Sequence, residues 1–77
     1  MWDAINTHVK TAVDSNMEAV EALKAGLNEV DFAPSSGLAK MYLRQLLSRA
    51  NNFDTELRSF MLAIAPAVKQ EEENKPE

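Results

Sequence analysis

The sequence predicts an all-α fold, an antiparallel two-helix hairpin with a heptad seam that completes a helical bundle by association. Three observations carry that reading. Apolar residues recur at alternating spacings of three and four along two separate stretches. Helix-breaking residues are few, and Pro34 and Gly37 fall between the two stretches. A chain of 77 residues without cysteine has room for one small domain, and neither a disulfide nor a thiolate zinc site can supplement its core.

The first element is predicted over about 2–30. Trp2, Asn6, Val9, Val13, Asn16, Val20, Leu23, Leu27 and Val30 follow the seam spacing, and seven of the nine are apolar. The turn is predicted at 31–37, where Pro34 disfavours helical geometry at Ala33 and the following Ser-Ser-Gly offers a capping oxygen for a new helix. The second element is predicted over about 37–65. Its seam is Ala39, Leu43, Leu46, Ala50, Phe53, Leu57, Phe60, Ile64 and Ala67, without a polar member. Pro66 should end this helix near Ala65, because its ring clashes with the carbonyl four residues earlier. On this reading residues 1–68 form the hairpin, and the stretch 69–77, "KQEEENKPE", is a disordered acidic tail with nothing to bury.

A short connection makes the two helices antiparallel, so that paired numbers sum to about 70. Asn16 then lies level with Phe53 and its neighbour Asn52. A polar residue at a seam penalises shifted registers, and Asn16 and Asn52 are the candidate register residues. The stretch "NNFDTE" also resembles a helix start, which would divide the second element and give three helices.

One seam leaves large apolar residues uncovered, and a single helix–helix contact is a small core for a chain of this length. Met17, Leu38, Met41, Tyr42, Leu47, Met61 and Leu62 are the candidate partner interface. Ala12, Ala19 and Gly26 recur every seven residues beside the first seam, a line of small side chains that lets another helix approach closely. The expected partner is another protein or a second copy, with a homo-oligomer favoured. Trp2 is expected to plug the open end of the hairpin near Ala67 and Val68.

Charge and motifs narrow the function classes. A net charge of -4 and scattered Lys and Arg argue against nucleic-acid binding. No run approaches the ~18 apolar residues of a membrane span, and "MWDAINTHVK" lacks the basic and apolar regions of a signal peptide. The expected location is the cytoplasm, although secretion without a cleaved signal would suit the same sequence. His8 has no convergent ligands, and Glu18 and Glu21 read as a solvated pair near Lys24. No catalytic, cofactor or metal site is expected, and the chain reads as a non-enzymatic interaction module: an adaptor, small chaperone or inhibitor.

The order of a tryptophan near the start, a helix, a Pro-Ser turn at "APSSG" and a helix carrying "LAKMYL" resembles the small hairpin proteins of type III secretion. That resemblance implies an assembly subunit or a chaperone. Needle subunits of that family carry a longer "PSNP"-like turn and end in an ordered helix, whereas this chain has "PSSG" and Pro66 before an acidic tail, which points to the chaperone role. Size, acidity and helicity equally suit a phage-encoded inhibitor of a host protein.

Overall fold

The computed structural model describes residues 1–30 and 37–74. Within them the chain forms two helices, α1 over Trp2–Val30 and α2 over Gly37–Glu73, packed along their lengths as an all-α hairpin. The residues between the helices, 31–36, where the turn was expected, lie outside the described residues, as do 75–77.

α1 has the predicted bounds and seam. All nine positions from Trp2 to Val30 are buried or half-buried, and Val13 and Val20 are the best covered. Trp2 sits at the open end beside Ala67, as its plug role requires. Ser15 to Glu18, "SNME", matches a helix-capping pattern but lies inside the helix.

α2 departs from expectation in its rotation. Leu43, Ala50, Leu57 and Ile64 lie at the interface, with Ile64 buried. The residues expected between them, Ala39, Leu46, Phe53 and Phe60, are exposed instead. Their sequence neighbours Lys40, Leu47, Asp54 and Met61 are the half-buried ones, and farther along Ala67 and Val68 are both half-buried. The helix is thus turned by roughly 50° from the predicted face, half the angle between successive residues. Leucine and flexible methionine fill a narrow two-helix contact, while the phenylalanine rings stand at its edge.

α2 is also longer and more continuous than predicted. It runs unbroken through Asn51 and Asn52, so there is no third helix among the described residues. It also passes through Pro66 and reaches Glu73, so the stretch 69–73 is helical rather than a disordered tail. Proline removes one backbone hydrogen bond and costs a helix about 3 kcal/mol. Here Pro66 is exposed, on the side of α2 turned away from α1, where water can reach the Leu62 carbonyl that it deprives. Beyond it, Val68 and Glu71 return to the interface and offset that cost.

Glu71 closes the open end of the hairpin. It falls one heptad past Ile64 on the Leu43, Ala50, Leu57 line, and its carboxylate faces the start of α1. The Met1 amino group donates to Oε1 at 2.6 Å, the Trp2 N–H to Oε2 at 2.7 Å and the Asp3 N–H to Oε1 at 3.3 Å. The first N–H groups of a helix have no partner within it and carry its positive dipole end, so a carboxylate from the other helix caps α1. The amino group and the Trp2 N–H hold the Glu71 carboxyl below the ordinary carboxylate range.

At mid-length Asn16 spans the interface. Its Nδ2 donates to the Ala50 carbonyl at 2.8 Å, from a half-buried position. The other expected register residue, Asn52, is exposed, because the rotation of α2 carries it away from α1. Asn16 therefore pairs with backbone rather than with a second amide.

Candidate interaction surface

Two antiparallel helices in one layer cannot enclose a core, and the described residues show the result. Only Val13, Val20 and Ile64 among them are buried apolar residues. The chain measures 62 × 18 × 12 Å with a radius of gyration of 17.8 Å, against about 11.5 Å for a compact domain of this length.

The hairpin has two flanks, and side-chain contacts tell them apart. On one flank the Arg58 guanidinium lies 3.6 Å from the Met17 sulfur and donates to Asp54 Oδ2 at 2.9 Å. Asp54 is half-buried beside Val20, and its Oδ1 is buried without a hydrogen-bond partner. Along the same flank, a shallow groove of about 530 Å³ runs from Asn6 past Met61 and Leu62 to Glu72. Its walls are apolar and its ions, Arg58, Lys69 and Glu72, stand along it without converging on a point.

The other flank is apolar on both helices. With Met17 and Arg58 fixing one side, helical spacing places Ile5, Ala12, Ala19 and Gly26 on the opposite side of α1 and Leu46, Phe53 and Phe60 on the adjoining side of α2. Leu46 is 45% exposed, Phe53 48% and Phe60 42%, in a line at seven-residue spacing. Tyr42 stands next to that line at 57%. Gly26 belongs to the same surface and has open space where a Cβ would stand. Glycine inside a helix costs about 1 kcal/mol relative to alanine, and no contact within the hairpin requires it there.

The residues expected to form the partner interface are not gathered on one face. Leu47 and Met61 are half-buried along the line that meets α1. Met17 lies against Arg58, and Leu62 lines the groove on that flank. Met41 and Leu38 are exposed near the start of α2, and only Tyr42 joins the phenylalanine row. Leu46, Phe53 and Phe60 were assigned to the intramolecular seam from sequence. The signal that could have separated them is the double stripe of α2, in which both the 46, 53, 60 line and the 47, 54, 61 line carry large apolar residues.

Among the described residues no three His, Cys, Asp or Glu side chains gather to hold a metal ion, and no helix is long and apolar enough to cross a membrane. His8, Glu18 and Glu21 are exposed, and Glu21 accepts from Lys24 at 3.4 Å. No family model matches the chain, and neither a curated protein nor a solved structure matches it.

Proposed function

We propose that the chain is a non-enzymatic protein–protein interaction module, an adaptor, small chaperone or inhibitor acting in the cytoplasm by laying one flank of its hairpin against another protein or a second copy of itself. The observation that carries this reading is the exposed row of Leu46, Phe53 and Phe60 beside the small residues of α1. Single exposed apolar residues are ordinary, but a heptad row of large ones has the pattern of a helix-packing seam without its partner.

The row also suits two narrower roles. One is an assembly subunit or chaperone resembling the hairpin proteins of type III secretion, and the ordered helix beyond Pro66 removes one of the two differences from needle subunits. The other is a phage-encoded inhibitor that occupies a host surface.

Size fractionation of an extract from cells that naturally make the chain tests the reading. The parent should elute in a complex larger than its own 8.6 kDa, and a Phe53→Glu, Phe60→Glu double variant should elute as the free hairpin. A parent that elutes alone would contradict it.

A further inference from the structure

We propose that the occupant of the apolar flank is a second copy of this chain, related by a two-fold axis parallel to the hairpin, so that two hairpins form a four-helix bundle. The inference rests on the reading of the chain as an interaction module and names its partner. Two features of the flank select this arrangement, the sizes of its side chains and the area it leaves open.

Size complementarity comes first. The flank is built of a row on α1 that is small at Ala12, Ala19 and Gly26 and a row of large residues on α2. Numbers that sum to about 70 lie level along the hairpin, which agrees with Trp2 beside Glu71 and with Val20 beside Asn51. Phe53 is then level with the gap between Ala12 and Ala19, Phe60 with the gap between Ile5 and Ala12, and Leu46 with the gap between Ala19 and Gly26. A two-fold axis along the hairpin keeps every level and lays α2 of one copy over α1 of the other. Phe53 then enters the gap between two small residues of the second copy, Ala12 and Ala19, and Phe60 the gap beside Ala12, in the manner of knobs into holes. An axis across the hairpin would instead set α2 on α2, large residues on large, and leave the two small rows apart. The open space at Gly26 lies where the Leu46 side chain of the second copy arrives.

The exposed area supplies the second argument. The chain exposes 5889 Å², roughly 1,200 Å² more than the ~4,700 Å² of a compact protein of 8.6 kDa. Stable dimers remove about 800 Å² from each partner and obligate ones more than 1,000 Å². The chain's excess is of the size that such a dimer removes from each partner. The arrangement is isologous and closed, so it stops at two copies and does not grow into a filament.

The absence of cysteine from the sequence makes the contact open to direct test. The purified chain should sediment as a dimer of twice 8.6 kDa. Phe53→Glu should keep the helical spectrum and weaken dimerisation on the order of 100-fold or more, while Leu62→Glu on the other flank should leave it unchanged. When Ala19→Cys chains are mixed with Phe53→Cys chains and oxidised, a disulfide should join the two kinds of chain. A parent that stays monomeric at millimolar concentration overturns the inference. So does a dimer in which Phe53→Cys chains link only to each other. A purified monomer that runs as a complex in the extract would overturn the two-copy arrangement and leave the interaction module standing. A monomer in both settings would overturn both.

Discussion

At the scale of the residue, Glu71 and Asn16 make hydrogen bonds to backbone that tie the two helices together. Glu71 was not legible in the sequence, because Pro66 argued for a helix end before it, yet extending the Leu43, Ala50, Leu57, Ile64 line by seven residues leads to it directly. Its carboxyl is held below its ordinary value by the Met1 amino group and the Trp2 N–H. A depressed carboxyl contributes stability above its unfolded pKa of about 4.3 and loses it as the pH falls through the folded value. Glu71→Gln should therefore melt below the parent at pH 7, and the gap should close as the pH is lowered past about 4. A gap that persists unchanged at pH 2 would contradict the capping role. Asn16, by contrast, was legible as a polar interruption in an apolar seam, but not its acceptor. The Ala50 carbonyl keeps its helical partner without Asn16, so Asn16→Leu removes no obligatory bond and adds apolar burial. Its melting temperature should rise by several degrees, equivalent to about 1 kcal/mol, while the distribution of association states broadens. A lower melting temperature with one unchanged species would count against a role in register.

The two helices differ in how completely their sequences specify them. α1 carries one apolar stripe flanked mostly by small or charged residues, with Ile5 and Met17 the large exceptions, so its bounds and all nine seam positions were readable from spacing alone. α2 carries two apolar lines side by side, 46, 53, 60 and 47, 54, 61, and spacing cannot say which of them faces α1. The regular three-and-four pattern favoured the line without a polar residue, whereas the structure turns Asp54 toward the interface and holds it with Arg58. The Pro66 prediction failed for a related reason: the helix-breaking rule concerns a backbone bond, and a helix with packing on both sides of an exposed proline tolerates its loss. Neighbouring substitutions separate the two lines. Met61→Glu places a carboxylate at the intramolecular contact and should lower the melting temperature by an amount equivalent to about 2–3 kcal/mol. Phe60→Glu should leave the fold of the single hairpin intact and act on association. Equal destabilisation by the two in dilute solution, where the chain is a single copy, would indicate that α2 is not rotated as described.

The whole molecule is one layer of two helices, long, thin and open along one apolar flank. Hairpin topology and approximate register were readable from 77 residues, because they follow from period and punctuation. Which apolar row of α2 stays exposed was not, because it depends on a rotation of α2 that only packing decides. Side-by-side pairing across this flank makes a definite statement about shape. Doubling the mass thickens the particle without lengthening it, whereas end-to-end association lengthens it without thickening. Small-angle X-ray scattering of the purified chain at high concentration measures both quantities at once. The predicted result is twice the mass of 8.6 kDa within a particle whose long dimension stays close to the single hairpin's 62 Å. A particle of one chain's mass, or one whose length grows with its mass, would contradict it.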